Sequence, residues 1–583
     1  MIKQLAGSLR QYRKNTVLTP IFVTVEVIME VVIPLLMSRL IDYGITARNM
    51  NYVVGMGCAL LVCAVLSLAA GVIAGHHSAF ASAGFAANLR RDMYHRVQDF
   101  SFSNIDKYST SSIITRLTTD VTNLQNAFMM IIRMASRSPL MLIFSLAASF
   151  SIDTRLSLIF LAMIPVLGFG LWFIISKVHP IFMRVFKTYD RLNNIVQENL
   201  RGIRVVKSFV REDYEIKKFA GVSEVIYDDF SKGEKINAFN MPLMQLCTYA
   251  CMLLISWFGA KAIVASGGNP IGGLSTGELM SLITYTMSIL ISLMMLSMVF
   301  IMITISRASA ERVVEVLNEE SDLKNPPAPV TAVPDGSIGF ENVCFTYSSL
   351  ADKPVLTGID LKIGSGETVG ILGGTGSSKT SLVQLIPRLY DATAGRVTVG
   401  GVDVRDYDIE TLRDSVAMVL QKNELFSGTI KENLRWGNPS ASDEELVRVC
   451  RLAQADGFIQ EFPDKYDTYI EQGGTNVSGG QKQRLCIARA LLKKPKILIL
   501  DDSTSAVDTG TEALIRRAFL AELPETTKII IAQRISSVQD ADKIIVLDDG
   551  LVSATGTHDT LLETSQIYRE VYESQMKGGK VNE

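Results

Sequence analysis

The sequence lacks paired cysteines and has little histidine. Seven cysteines and five histidines occur in 583 residues, and no two cysteines have the C-x-x-C spacing of a metal or redox site. We therefore predict free, buried thiols in a reducing compartment. The sequence also lacks an excess of positive charge, since 57 Lys and Arg residues stand against 59 Asp and Glu residues. No basic field indicates a nucleic acid as a partner.

Charged residues are scarce, at 20% of the chain, whereas hydrophobic residues make up 48%. This balance is too apolar for a typical water-soluble enzyme and too polar for a protein that lies wholly within lipid. The same composition excludes intrinsic disorder and a disulfide scaffold. We therefore expect a membrane domain joined to a water-soluble domain.

Six apolar runs have, or nearly have, the length of a membrane span. They are residues 16–40, 52–74, 138–152, 156–176, 241–263 and 279–305. The third run is short, and a start near Phe128 would bring it to full length. The first run is long and has no small-residue cleavage site, so it predicts a membrane span rather than a signal peptide.

Positive charges set the expected orientation of these spans. Lys and Arg residues cluster before the first run, between the second and third, and between the fourth and fifth. The positive-inside rule then predicts a multi-pass cell-membrane protein with both termini in the cytoplasm and the Gly/Pro turn at residues 267–270 outside. The long cytoplasmic connections have a helical pattern. Periodicity alone leaves open whether they are stalks or couplers to a cytoplasmic domain.

Proline residues mark the end of the membrane part. The segment Asn-Pro-Pro-Ala-Pro at residues 325–329 breaks a helix and is typical of a linker, and the apolar runs after it shorten to strand length. We predict a membrane domain at residues 1–320, a linker at 321–336 and a second domain at 337–583.

A glycine-rich turn follows the strand-like run at residues 369–372 and precedes a helical run. Its residues are Gly373, Gly374, Thr375, Gly376, Ser377, Ser378, Lys379, Thr380 and Ser381. Backbone amides at a helix N-terminus bind phosphate, a Lys adds a mobile positive charge, and the next hydroxyl can ligate Mg²⁺. The pattern predicts an α/β P-loop nucleotide-binding domain. Ser378 replaces the second glycine of the P-loop pattern, so an ordinary turn is the alternative.

Two carboxylates, Asp501 and Asp502, end a buried-strand run further along the chain, where nucleotide hydrolases have an Asp that orients Mg²⁺. Between the two motifs, residues 476–484 read Asn-Val-Ser-Gly-Gly-Gln-Lys-Gln-Arg. With this segment the chain resembles an ATP-binding-cassette (ABC) exporter half-transporter of type IV, with six spans and a C-terminal cassette. The resemblance covers nearly the whole chain.

The resemblance implies ATP and Mg²⁺ as cofactors and gives roles to single residues. Residues 478–481 match the signature motif, which contacts the γ-phosphate of ATP on the opposite cassette. Tyr347 matches the aromatic residue that stacks on adenine, and Asp508 matches the D-loop that communicates across the dimer. The implied metal ligands are Thr380, Gln421 of the Q-loop, and Asp501. The implied nucleotide-binding residues are Tyr347, Gly373, Gly376, Ser377, Ser378, Lys379, Thr380, Ser381, Gln421, Ser478, Gly479, Gly480, Gln481 and Asp508.

The membrane part carries the resemblance as well. Residues 114–120 and 202–209 resemble the regions around the two coupling helices of exporters. The helical connections are therefore better interpreted as couplers than as stalks.

Three positions depart from the family's pattern. Asp502 stands where the family has the Glu that polarises the attacking water, and Gln533 stands where it has the switch His. Both predicted catalytic positions are therefore degenerate, and Ser378 adds a side chain to a turn built for glycine.

Because the signature is intact, the chain resembles the degenerate-site subunit of a bacterial heterodimeric multidrug exporter. Its P-loop would form the weak ATP site, and its signature would complete the competent site of a second half-transporter. The alternatives are a homodimeric lipid or peptide flippase with slow turnover and a nucleotide-gated regulatory ABC protein.

Intramembrane polar and thioether side chains are the candidates for substrate contact. Glu26 and Glu30 are four residues apart on one face of the first span, and a carboxylate within a membrane is costly. They are candidates for cation recognition, and the alternative is that they lie near a watery cavity or pair with a partner helix. Met287, Met294 and Met298 belong to a Met-rich last span, which suits varied apolar ligands. Together they favour a small amphipathic substrate, in contact with membrane lipid.

Overall fold

The structure, a computed structural model, describes residues 1–265, 273–347, 353–503 and 506–579. The predicted outward turn at residues 267–270 lies outside the described residues. The chain forms two compact units, which are Met1–Gln98 with Thr110–Glu319, and Asp99–Ser109 with Glu320–Glu583. Each unit has a hydrophobic core of its own.

Up to residue 319, the described elements are all helical. The α-helices are α1 (Ile2–Gly7), α2 (Arg13–Arg39), α3 (Met50–Gln98), α4 (Phe102–Lys107), α5 (Thr110–Thr115), α6 (Val121–Ile152), α7 (Thr154–Arg201), α8 (Ile203–Ser208), α9 (Glu212–Asn237), α10 (Asn240–Ala265) and α11 (Thr276–Asn318). Short 3₁₀ or π turns occupy Arg10–Tyr12, Leu40–Thr46 and Arg116–Asp120.

Six helical stretches in the described ranges are long and apolar enough to cross a membrane. They are Arg10–Thr46, Met50–Gln98, Thr110–Ile152, Thr154–Arg201, Glu212–Ala265 and Thr276–Asn318. The prediction of six spans is confirmed, and the third span does begin earlier than residue 138, because α6 is continuous from Val121. Several stretches far exceed the ~20 residues that a bilayer needs, as expected for helices that extend beyond it.

The core of the first unit lies between α2, α6, α10 and α11. Val23 and Val27 of α2 pack with Tyr285 and Ile289 of α11, all of them buried. The Tyr285 hydroxyl donates a hydrogen bond to the Val31 carbonyl over 2.6 Å. A polar side chain on an apolar helix is thereby satisfied, and the two helices are held in register.

The second unit contains mixed α/β structure. Its remaining helices are α12 (Lys379–Gln384), α13 (Ile409–Ser415), α14 (Ile430–Arg435), α15 (Asp443–Leu452), α16 (Asp456–Glu461), α17 (Gly479–Leu492), α18 (Thr509–Glu522), α19 (His558–Thr564) and α20 (Gln566–Gly579). Its strands are β1 (Ile338–Phe345), β2 (Leu356–Ile363), β3 (Thr368–Leu372), β4 (Ala394–Val399), β5 (Val402–Asp403), β6 (Val416–Val419), β7 (Gly428–Thr429), β8 (Tyr469–Ile470), β9 (Ile497–Asp501), β10 (Thr527–Ile531), β11 (Lys543–Asp548) and β12 (Leu551–Gly556).

The central sheet places the ends of three motifs side by side. Its strand order is β12-β11-β3-β10-β9-β6, and all neighbours are parallel except β11 and β12. Strands β3, β9 and β10 are buried at every position, which explains why apolar residues dominate their sequences, although β10 begins with Thr527 and Lys528. Parallel strands have their carboxyl ends at the same edge of the sheet. The P-loop, the Asp501–Asp502 pair and Gln533 therefore all lie at this edge.

Helix α4 packs within the second unit although it precedes the third span. Its Phe102 lies against the cassette core, and Asp106 accepts a 2.6 Å hydrogen bond from the buried Tyr390 hydroxyl. The Asn104 side chain donates to the Glu320 carbonyl over 3.1 Å. The segment of this loop that packs with the cassette is therefore Asp99–Ser109, just upstream of the residues 114–120 that the sequence singled out.

Candidate functional site

The P-loop forms the turn between β3 and α12. Lys379 lies along it, and its Nζ donates to the Gly373 and Gly374 carbonyls over 2.8 Å each. At Gly373 a Cβ atom would come within 2.3 Å of the Leu547 carbonyl oxygen, whereas Gly374 and Gly376 border open space. The loop is therefore closed on its protein side and open on the other, as a phosphate cradle must be.

Ser378 is strained where the family pattern has glycine. Its φ is 69°, in the left-handed region, which costs a non-glycine residue about 1–2 kcal/mol. This serine therefore adds backbone strain, as well as a side chain, to the turn.

Thr380 and Asp501 meet at the base of the loop. The Thr380 hydroxyl donates to Asp501 Oδ2 over 2.8 Å, and Asp501 is only 2% exposed. Burial raises the pKa of Asp501, while the hydrogen bond from Thr380 opposes that change. Burial likewise lowers the pKa of Lys379. Both charged forms would be favoured by ligands of opposite charge.

A cavity of 560 Å³, which we call the phosphate cavity, joins most of the predicted site. Its lining includes Gly373, Gly374, Thr375, Gly376, Ser378, Lys379, Thr380, Ser381, Gln421, Asp501, Asp502 and Gln533. The structure therefore brings the three predicted metal ligands to one cavity. A hydroxyl, an amide and a carboxylate oxygen are the ligand types that Mg²⁺ prefers, so these residues fit the ion and the phosphates of ATP.

The two degenerate positions contact each other. Gln533 Nε2 donates to Asp502 Oδ2 over 2.8 Å, and Asp502 has a left-handed φ of 48°. Both side chains line the phosphate cavity. The structure thus pairs the residues that stand at the positions of the family's Glu and His.

The C-terminal helix α20 also contributes to this site, and sequence reasoning missed it. Gln575 Nε2 donates to the Gln533 carbonyl over 2.8 Å, and its Oε1 accepts from the Ile535 amide over 2.9 Å. One side chain therefore holds the backbone on both sides of Arg534. Tyr568 and Val571 of the same helix line the phosphate cavity. No motif in the sequence marks these residues.

Tyr347 lies beside the P-loop helix. Its hydroxyl lies 2.8 Å from Ser381 Oγ and 3.2 Å from Gln384 Oε1, and its ring meets the edge of Tyr390 with centroids 5.1 Å apart. Tyr390 in turn donates to Asp106 of α4. The residue predicted to stack on adenine is therefore linked to α4 through one aromatic neighbour.

The signature segment starts α17. Ser478 caps this helix, because its Oγ accepts from the Gln481 amide over 3.3 Å while Gln481 Oε1 accepts from the Ser478 amide over 2.8 Å. Ser478 and Gly479 are exposed. Among the described residues, none of the signature lines the phosphate cavity. One chain thus presents its P-loop and its signature as separate surfaces.

Asp508, the predicted D-loop residue, also begins a helix. Its side chain accepts a hydrogen bond from the Thr511 amide over 2.9 Å and so caps α18. That backbone hydrogen bond lowers the pKa of Asp508.

The membrane carboxylates are paired. Arg137 of α6 forms ion pairs with Glu26 and with Glu30, the latter at 2.7 Å. Glu26 Oε2 is buried and has no hydrogen-bond partner in the described ranges, and it packs beside Gly71 of α3. The arrangement matches the alternative that the sequence left open, in which the carboxylates pair with a neighbouring helix.

The Met-rich helix shows a different environment. Met287 and Met298 are exposed on α11 and Met294 is half-buried. These three side chains can therefore meet lipid, a partner or a ligand.

Comparison with known proteins agrees with the fold and identifies the family. Residues 16–294 match the ABC transporter transmembrane region, and residues 356–505 match the ABC transporter family. An ABC transporter ATP-binding protein of Bacillus subtilis is 37% identical over 555 residues, 95% of each chain. An ATP-dependent lipid A-core flippase of Desulfotalea psychrophila is 32% identical over 84% of each chain. The structure of a bacterial Atm1-family ABC exporter with ATP bound superposes with a TM-score of 0.82 at 24% identity, covering 97% of this chain and 99% of that one.

The six spans and the family matches agree that this is a multi-pass membrane protein with an ATP-binding domain. The chain therefore belongs to the ABC transporter family, as a half-transporter with the fold of an ABC exporter.

Proposed function

We propose that this chain is one subunit of a heterodimeric ATP-driven exporter and that its own P-loop forms the weaker of two ATP sites. The observation that carries the proposal is the pairing of Asp502 with Gln533 at the edge of the phosphate cavity. These are the two positions at which hydrolysis needs a Glu and a His in the family.

The Asp at residue 502 keeps the negative charge of the family's Glu, but its side chain has a shorter reach. An Asp carboxylate is one methylene shorter than a Glu carboxylate, and a misplacement of about 1 Å can lower a rate ~100-fold. Its hydrogen bond to Gln533 also directs the carboxylate toward an uncharged amide. Gln533 can donate a hydrogen bond to phosphate, but it cannot carry a proton or a positive charge at neutral pH.

ATP and Mg²⁺ binding are compatible with the same residues. The open backbone at Gly374 and Gly376 and the Lys379 ammonium would hold the phosphates. Thr380, Asp501 and Gln421 would hold Mg²⁺, which supplies charge neutralisation to the phosphates when bound. We therefore propose nucleotide binding with slow hydrolysis at this chain's P-loop.

The signature supports a role on the partner's site. Ser478 and Gly479 are exposed at the N-terminus of α17, a 14-residue helix whose amides favour anions. A second half-transporter with a complete P-loop side would gain a competent site from this surface. The partner is therefore a different chain that carries the missing Glu and His.

The substrate is proposed to be a small amphipathic drug or a lipid. The exposed methionines of α11 support apolar contact, and Glu26, Glu30 and Arg137 offer charged groups within the membrane helices. A homodimeric lipid flippase is the second candidate, because two relatives with 32% and 29% identity are named ATP-dependent lipid A-core flippases.

Assembly and ATPase assays test the proposal. Two differently tagged copies of this chain are co-expressed with each half-transporter that a neighbouring gene encodes. The complexes are purified, and their ATPase activity is assayed in lipid vesicles. We expect copurification with one different chain, ATPase activity that largely survives Lys379→Ala here, and loss of activity when the partner's P-loop Lys is changed. Activity from two copies of this chain alone, abolished by Lys379→Ala, would support the flippase candidate and overturn the heterodimer.

A further inference from the structure

A second cavity in the cassette lies outside the phosphate cavity. It has a volume of 270 Å³ and lies between α18, β10 and the segment that connects β10 to β11. Its polar lining residues are Thr368, Arg516, Arg517, Lys528, Ser537, Gln539 and Asp540. We call it the basic cavity, because it has three cationic side chains and one carboxylate.

Lys528 is the most unusual residue of the basic cavity. It is the second residue of β10 and is only 2% exposed. In the described part of the chain its ammonium has neither a hydrogen bond nor an ion pair, and burial lowers its pKa while Asp542 opposes that change. Asp542 is already engaged, since it accepts a 2.8 Å hydrogen bond from the Thr368 amide. A buried ammonium without a partner is costly unless a counter-charge binds.

Arg516 brings a second positive charge to the wall of the same cavity. Its Nη1 donates to the Ser536 carbonyl over 2.6 Å and lies 3.8 Å from Asp540 Oδ2. The guanidinium is thus fixed to the backbone, and its charge has one carboxylate nearby.

The rest of the wall limits what can bind. Phe519 and Ile530 are buried apolar residues at the cavity, and Leu520 lies at its exposed side. The space would accept a phosphate or carboxylate group with a few carbon atoms, but a nucleoside triphosphate is too large for it. An oxyanion in this space could accept a charge-assisted hydrogen bond from the Lys528 ammonium.

We propose that the basic cavity is a binding site for a small oxyanion, held by a hydrogen bond from the Lys528 ammonium and attracted by the positive charges of Arg516 and Arg517. These residues belong to a β-strand and a helix, so the site is built on rigid elements. The proposal is independent of which ATP site hydrolyses, because none of the residues involved lines the phosphate cavity.

The site is positioned to influence the nucleotide side of the cassette. Lys528 lies in β10, and Gln533 lies five residues later, just after the end of that strand. At strand spacing this separation is about 16 Å. Arg516 holds Ser536, three residues after Gln533. An oxyanion that fixes Arg516 would therefore brace the turn that follows Gln533.

Thermal unfolding of the purified full-length chain in nanodiscs tests the site. Saturating Mg-ADP is added first to fill the P-loops. Inorganic phosphate or butyrate is then titrated, and the chloride concentration is adjusted to keep the ionic strength constant. We expect a saturable rise of the unfolding midpoint with at least one of the two anions. A phosphate-only response indicates a phosphate ester as the natural ligand, and a butyrate-only response indicates a carboxylate. No saturable response to either would overturn the proposal.

Three variants separate binding from general salt effects, which raise the midpoint without saturating. Lys528→Met should abolish the saturable response and leave the anion-free midpoint equal or higher, because it removes a buried unpaired charge. Arg516→Met removes a positive charge from the cavity wall, and it should weaken the apparent affinity at least threefold. Lys494→Met is the control, since this exposed lysine pairs with Glu445 and does not line the cavity. A normal response in both Lys528→Met and Arg516→Met would show that the cavity is not the site. If Lys528→Met does not fold, Arg516→Met decides alone.

Discussion

Gln533 donates a hydrogen bond from Nε2 to Asp502 Oδ2 over 2.8 Å, so the two degenerate positions of the nucleotide site form a pair. Asp502 follows β9 and Gln533 follows β10, which are parallel neighbours in the sheet. A Glu at residue 502 would project its carboxylate further, and an imidazole at residue 533 would offer a different donor. The pair therefore gives a physical reason to treat the two substitutions as one change to the site.

The signature surface should matter more for turnover than the degenerate carboxylate. We predict that Ser478→Arg lowers the ATPase rate of the assembled exporter ~100-fold, because it removes an exposed helix cap and places bulk where γ-phosphate of the competent site should lie. Asp502→Asn should change the rate less than about threefold. Steady-state ATPase rates of the two purified variants are compared at saturating ATP. The reverse order would contradict the assignment of the weak site to this chain.

The C-terminal helix should tune the recognition of γ-phosphate. Gln575 holds the Gln533 carbonyl and the Ile535 amide, so Gln575→Met frees the backbone that carries the Gln533 side chain. We predict that the ratio of ATP to ADP affinity at this chain falls about fivefold, with little change in ADP affinity, because each hydrogen bond contributes about 1 kcal/mol. Photolabelling with azido-nucleotides, resolved by chain on a gel, measures both affinities.

Matched variants on the same helix sharpen that result. Gln575→Glu keeps the acceptor for the Ile535 amide but loses the donor to the Gln533 carbonyl, so it should give an intermediate ratio. Gln566→Met removes an exposed side chain that bonds within α20, to Glu570, and this variant should behave as the unmodified chain. An unchanged ratio in Gln575→Met would show that α20 does not position Gln533.

The sequence indicated which cassette residues the structure brings to one cavity, because its signals are local. Strands β3, β9 and β10 are buried on both faces, so apolar residues dominate their sequences, and parallel strands end together. Knowing the three strands is enough to bring the P-loop, Asp501 and Gln533 to one edge. Gln575 could not be found in this way, because it bonds to backbone groups 40 and 42 residues earlier and belongs to a helix of ordinary composition.

The membrane part shows why sequence analysis can miss the ion-pair partner of a buried carboxylate. The two glutamates stood out because they interrupt an apolar run, whereas Arg137 lies one residue before the third run as the hydropathy pattern delimits it. Helix α6 is continuous from Val121, so Arg137 lies on a span rather than before it and reaches both glutamates. Hydropathy alone does not show where this helix begins, so it did not show that Arg137 could contact the two glutamates.

Arg137 should stabilise the first unit by neutralising two carboxylates. Arg137→Met leaves Glu26 buried and unpaired, and removal of one partner from a buried ion pair costs about 3–5 kcal/mol. We predict a clear fall in the thermal unfolding midpoint of the chain in nanodiscs, and partial recovery in Arg137→Met with Glu26→Gln and Glu30→Gln. Arg307→Met is the control, because its pair with Glu311 is exposed and should contribute less than about 0.5 kcal/mol. If Arg137→Met matched the control, the ion triad would have no stabilising role.

Restoring the consensus residues should repair this chain's ATP site only in part. Asp502→Glu with Gln533→His recovers the reach of the carboxylate and supplies an imidazole, but the opposing wall of the site is the partner's signature, which we expect to be altered as well. Each missing transition-state hydrogen bond is worth about 3 kcal/mol, or ~100-fold in rate, so a site with one repaired wall should remain slow. The assay is ATPase activity of the heterodimer after the partner's catalytic Glu is disabled, so that any signal arises at the repaired site, and Gln575 is left unchanged to hold residue 533. A rate comparable to that of the native heterodimer would mean that the partner's signature is sound, and the asymmetric assembly would lose its main support.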